Sequence, residues 1–123
     1  MGAGRAQEVP AAEEVRQYKI RWADMPVPVG RRPVLLLTRS AAFSYLNTVI
    51  VAEITGTIRG IPQEVLIGKK EGLPRPSVVN LDNVHVVRKE ALGEKVGALS
   101  AGRERDVKRA LGYALGWEEL KSL

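Results

Sequence analysis

Short apolar segments, each cut off by glycine, proline or a polar turn, fill the chain from Tyr18 to Leu99, and a helical period appears only beyond Ser100. That punctuation predicts a mainly β chain of about six or seven short strands. Tyr18, Ile20 and Trp22 alternate with Lys19, Arg21 and Ala23, the period of a half-buried strand, until Pro26, Pro28 and Gly30 break it. Val34-Leu35-Leu36-Leu37 is apolar on both faces and belongs in the middle of a sheet. Ala41 to Tyr45 reads as a helical turn, Thr48 to Thr55 as a strand, Ile58 to Pro62 as a turn and Gln63 to Ile67 as a strand. Gly68 to Pro76 is a polar loop. Ser77 to Leu81 and Val84 to Val87 read as two strands joined by a turn at Asp82-Asn83, with a last strand over Lys95 to Leu99.

Val107, Ala110, Leu111, Ala114 and Leu115 then fall on one helical face, with Ser100 as the expected N-cap, Gly116 as the C-terminal stop and Trp117 packing back on Leu111. The order predicts a small, strongly bent antiparallel barrel with a helix on its side. A chain of 123 residues has room for one core. Residues 1–17 read as a flexible lead-in and 18–123 as the single domain.

The net charge of +5 favours a polyanionic partner, because each Lys or Arg that meets a phosphate releases a condensed counterion. No apolar run approaches the roughly 20 residues that cross a bilayer, and the N-terminus carries Glu8, Glu13 and Glu14 where a secretory signal needs an apolar stretch. A cytoplasmic protein with no membrane partner is expected. The absence of cysteine removes disulfides, thiolate nucleophiles and Cys-based zinc sites.

His85 is the lone histidine, and it alternates with Val84 and Val86 as a residue on the polar face of a strand does. With no clustered ligands at metal spacing, no phosphate-cradling glycine loop and no nucleophile elbow, neither metal nor cofactor is expected. The chemistry left open is that of Arg, Lys, Thr, Ser and Glu.

The run Gly30-Arg31-Arg32-Pro33, leading into the apolar strand Val34 to Leu37, resembles the Arg-Pro motif of the MazF/PemK toxins. Thr48 to Thr55 is similar to that family's second motif, a strand that ends in a catalytic threonine, and Gly56 to Pro62 to the loop that follows it. Glu71-Gly72-Leu73, Ser77-Val78-Val79, Leu81-Asp82-Asn83 and the stretch from Leu92 to Ser100 are further echoes in the same order. The resemblance implies an SH3-like barrel shared by MazF and CcdB toxins, a homodimer, and metal-independent cleavage of single-stranded RNA by attack of its own 2′-OH. It also implies a MazE-like antitoxin and, through the toxin–antitoxin complex, operator DNA.

Carried onto this chain, the catalytic pair is Arg32 and Thr55. A guanidinium grips phosphate oxygens bidentately and a hydroxyl supports it, whereas a guanidine pKa above about 12 makes Arg32 a poor proton acceptor. Family members often carry a longer, polar loop before the Arg-Pro, where this chain has the short, apolar Met25 to Gly30. Glu53 lies two positions before Thr55, on the same strand face, and is a candidate to replace the missing group. RNA contacts are expected from Arg31, Thr57 and Arg59, with Phe43 or Tyr45 as stacking surfaces and Trp22 preferred as core. Arg103, Arg105, Lys108 and Arg109 read as a solvated basic stripe. Two alternatives stay open: a CcdB-like toxin that binds gyrase, which Trp117 keeps in view, and a non-catalytic SH3-like module that binds nucleic acid or protein.

Overall fold

A computed structural model describes residues 16–123; the lead-in expected over 1–17 lies, up to Val15, outside the described residues. Six strands, β1 (Lys19–Asp24), β2 (Arg31–Leu36), β3 (Thr48–Thr55), β4 (Glu64–Ile67), β5 (Ser77–Arg88) and β6 (Leu92–Ala98), form one sheet in the order β4-β5-β3-β2-β1-β6. Every neighbouring pair is antiparallel. The helix α1 (Glu104–Leu115) and the short α2 (Glu118–Lys121) follow.

The apolar run beginning at Val34 becomes β2, between β1 and β3, and its alternation explains why it is apolar on both sides. Leu35 packs with Ile20, Ala52, Ile54, Val79 and the α1 residues Val107 and Ala110, whereas Val34 and Leu36 join Ala23, Phe43, Val49 and Val51 on the other face. Each face therefore has its own core, and burying side chains of this size contributes roughly 1.5–3 kcal/mol apiece.

The mainly β class with a C-terminal helix is as expected, but the sheet does not close through strand pairing: β4 and β6 remain its edges. The approach across the seam is instead made by main chain. The 3-10 turn Lys69–Glu71, between β4 and β5, lies against β6 so tightly that a Cβ on Gly97 would stand 2.0 Å from the Glu71 carbonyl oxygen. One on Gly72 would stand 2.3 Å from the Val96 carbonyl oxygen, and Gly72 has φ +99, a region that L side chains rarely adopt.

Several local expectations are corrected. Ser77–Leu81 and Val84–Val87 are one continuous strand, β5. Asp82-Asn83 does not reverse the chain but sits in a bulge, because the β3 partners jump from Ala52–Val84 to Glu53–Asn80. Ser100 does not cap α1, whose N-cap is Arg103 without a side-chain bond. Its hydroxyl donates instead to Glu71 Oε2 at 2.6 Å, since a buried carboxylate needs the donor more than a solvated helix end does. The last strand starts at Leu92 rather than Lys95. Phe43 is core, and so is not a stacking surface. Arg21 and Ala23 are buried like Ile20, because both faces of β1 are covered, and Arg21 Nε donates to the Gly93 carbonyl at 2.8 Å.

Candidate active site

The β2–β3 ladder runs from Leu36–Val51 to Val34–Glu53 and stops where Pro33, lacking an N–H, offers no further donor. Continuing that register by two residues sets Arg32 opposite Thr55, on the same face. Both side chains line one cleft of about 510 Å³ at the end of the sheet. Arg31, Arg75, Lys95, Ser77 and Trp22 line it as well. With Arg32 the wall thus carries Arg31, Arg75 and Lys95, and no carboxylate is among its lining residues. Such a concave surface concentrates positive potential and suits a phosphodiester chain.

The individual groups are held to different degrees. Arg32 is about one-third exposed, its Nε stands 3.9 Å from Glu53 Oε1, and that buried Nε has no hydrogen-bond partner. Thr55 Oγ1 accepts a hydrogen bond from the Thr57 N–H at 3.2 Å, which leaves its own proton free to be donated. Arg31 lies over the Trp22 ring at 5.0 Å and donates from Nη2 to Glu94 Oε1 at 2.6 Å. That hydrogen bond from Arg31 holds the Glu94 carboxyl below its ordinary pKa. Trp22, preferred as core in the sequence, is half-buried and lines the cleft together with its strand partner Pro33.

Behind Arg32, Glu53 is buried at 8% exposure, and its Oε2 lies 2.5 Å from His85 Nε2. His85 is not on a solvated polar face as expected. It stands opposite buried Val51 on the face of β5 that carries buried Val87, while Val84 and Val86 are exposed, and its ring is half-buried against a carboxylate. Thr57 and Arg59 are exposed and do not line the cleft. The loop that bears them is pinned by Glu64, which accepts from the backbone N–H groups of Arg59 and Gly60 at 3.0 Å each. Tyr45 is exposed, is not among the lining residues, and has its hydroxyl bonded by Arg39. In the α1 stripe, Arg103 and Arg109 bind Asp106, so only Arg105 and Lys108 are fully exposed. Arg75, Ser77 and Lys95 escaped the sequence reading. Arg75 and Ser77 come from one segment and Lys95 from another, both distant in the chain from Arg32 and Thr55, so no local spacing marks them. Among the described residues no group of three or more acidic or histidine side chains could hold a metal ion.

A family model described as "PemK-like, MazF-like toxin of type II toxin-antitoxin system" matches residues 16–115. The chain belongs to this toxin family. Endoribonuclease MazF3 of Mycobacterium tuberculosis is 42% identical over 88 residues, which are 70% of this chain and 85% of that relative. The solved Mycobacterium tuberculosis toxin MazF-mt6 superposes with a TM-score of 0.75 at 38% identity, covering 80% of this chain and 96% of the toxin. A mycobacterial endoribonuclease solved in complex with its cognate antitoxin gives 0.73 at 26% identity, over 83% and 95% of the two chains. In this MazF-like toxin the Arg32–Thr55 pair lies within the cationic cleft.

Proposed function

We propose that this toxin endoribonuclease cuts single-stranded RNA, messenger RNA included, at short sequences and without a metal ion. The RNA supplies its own nucleophile: a 2′-oxygen bonds to the adjacent phosphorus, the bond from phosphorus to the 5′-oxygen breaks, and a 2′,3′-cyclic phosphate and a 5′-hydroxyl result. The 2′-OH gives up its proton and the leaving 5′-oxygen takes one up, so the enzyme's main task is to bear charge on the non-bridging oxygens. Arg32 meets two of them through its guanidinium and Thr55 donates its free hydroxyl proton, an electrostatic arrangement that acts where charge develops. Arg31, Arg75 and Lys95 hold neighbouring phosphates, and Trp22 offers a stacking face. Thr57 and Arg59 extend the RNA path beyond the cleft on the loop after Thr55. Glu53 serves as the counter-charge that aligns Arg32 from behind.

The observation that carries this reading is that Arg32 and Thr55 converge on one cleft with cations and no carboxylate in its lining. The protein works in the cytoplasm as a homodimer, held in check by a MazE-like antitoxin that tethers it to operator DNA; the antitoxin-bound relative supports that partnership. Among the described residues no helix is long and apolar enough to cross a membrane.

The test is incubation of a long single-stranded RNA with purified, antitoxin-free protein in EDTA, beside Arg32→Ala. Fragments ending in cyclic phosphate from the wild type alone are expected. Intact RNA with folded wild-type protein sinks the proposal.

A further inference from the structure

Glu53 divides its two carboxylate oxygens between different strands. Oε2 meets His85 Nε2 of β5 at 2.5 Å, and Oε1 faces Arg32 Nε of β2 at 3.9 Å. Since an ionised carboxylate only accepts, the imidazole is the donor in that contact. The register produces the approach: His85 stands opposite Val51, two residues before Glu53 on the same face of β3, so the two side chains are diagonal neighbours. The bulge moves the β5 partner of Glu53 from the Asn83 of an unbroken ladder to Asn80. Glu53 is buried, whereas His85 and Arg32 are each about one-third exposed. The buried Nε of Arg32 has no hydrogen-bond partner, so Glu53 is the anion that faces that edge of the guanidinium.

We propose that His85 is a positioning residue for cleavage, acting through Glu53 on Arg32. By holding Oε2 it fixes the carboxylate plane so that Oε1 is presented to Arg32 Nε. The guanidinium is thereby turned with its two Nη groups toward the cleft, where the phosphate is to be gripped. His85 is not among the residues that line the cleft and has no contact with RNA in this scheme. This role rests on Arg32 being the phosphate-binding catalytic group, as proposed above. The logic is that of outer partners that orient the group which meets the substrate, whose loss costs about 10- to 100-fold in activity.

The test compares wild type, His85→Ala, His85→Gln, His85→Asn, Glu53→Gln and the Ala/Gln double variant on a short single-stranded RNA in EDTA. His85→Ala is expected to lower kcat by roughly tenfold with KM changed by less than about twofold. Gln, whose side-chain amide nitrogen reaches about as far as Nε2, restores most of kcat, and the shorter Asn does not. On the Glu53→Gln background His85→Ala costs nothing further, because two residues acting in series are not additive. Independently of cleavage, the ¹⁵N signal of the Arg32 Nε–H is expected to move in His85→Ala and His85→Asn but not in His85→Gln. A His85→Ala enzyme with wild-type kcat, equal activity of the Gln and Asn variants, multiplying single effects or an unmoved Arg32 signal each overturns the proposal. If the wild type itself fails to cleave, the proposed reaction falls, while the Arg32 signal still decides whether His85 orients it.

Discussion

Among the described residues two glutamates are buried, and they are treated in opposite ways. Glu71 accepts from Ser100 Oγ at 2.6 Å and the Gly68 N–H at 2.8 Å, and Arg103 Nη1 stands 3.6 Å away. Burial pushes its carboxyl pKa up, but the bonds from Ser100 and Gly68 together with the Arg103 charge outweigh burial and hold it below its ordinary value. Glu53 has one close partner in His85 and a distant one in Arg32, whose Nε goes unsatisfied. The first carboxylate is saturated and ties the turn Lys69–Glu71 to the approach of α1. The second leaves its arginine free to make stronger bonds elsewhere, and under-satisfied groups of that kind gather where a ligand completes them.

The sharpest way to break this comparison is at the arginines. Arg32→Ala is expected to reduce kcat by roughly 100- to 1000-fold while leaving the thermal midpoint nearly unchanged, as measured by RNA cleavage beside calorimetry. A large loss of stability instead places Arg32 with the structural group. Thr55→Val should cost less, about tenfold in kcat, because it removes one neutral donor and keeps the strand's β-branched shape. Glu71→Ala reverses the balance. Stripping the acceptor from Ser100, Gly68 and Arg103 is expected to destabilise the fold by about 3 kcal/mol in urea unfolding, with cleavage per folded molecule little affected.

Acid sharpens the same contrast. A carboxyl whose folded pKa is depressed contributes stability that is present above its unfolded value and lost as pH falls through the folded one. For Glu71 that loss begins below its usual 4.5, and Asp106, lowered chiefly by the hydrogen bond from Arg103, adds to it with the same sign. Urea unfolding between about pH 6 and pH 3 should show stability falling, with Glu71→Gln flattening the curve. The smallest effect is expected at the cleft wall. Arg75→Ala or Lys95→Ala should raise KM a few-fold and reduce the slope of log affinity against log salt by about one each, with kcat retained.

Much of this arrangement was legible in the sequence where local chemistry decides the outcome. Thr48 to Thr55 is a β-branched run, and it forms β3 over those residues. The Arg-Pro start of β2 and the end of β3 were marked by resemblance, and the register between them places Arg32 opposite Thr55. Asp82-Asn83 misled because those residue types serve a turn and a bulge equally well, and only the long β3 partner chooses between them. Ser100 misled for a similar reason: its competing acceptor, Glu71, is distant in the chain. The His85–Glu53 contact depends on the pairing of β3 with β5, which sets His85 opposite Val51, and the roles of Arg75 and Lys95 depend on how the sheet curls, so neither has a local signature.

The main-chain contact of Gly72 and Gly97 across the seam has a consequence for how such a toxin diversifies. Gly72 and Val96 also border the cleft, so its gape on that side is set by the thickness of two apposed peptide backbones rather than by any side chain. On the proposed RNA path, exchanging Trp22, Arg75 or Lys95 is therefore expected to alter which nucleotides are gripped without widening the opening through which they pass. A side chain at either glycine does the reverse, spreading the jaws while leaving every gripping residue in place.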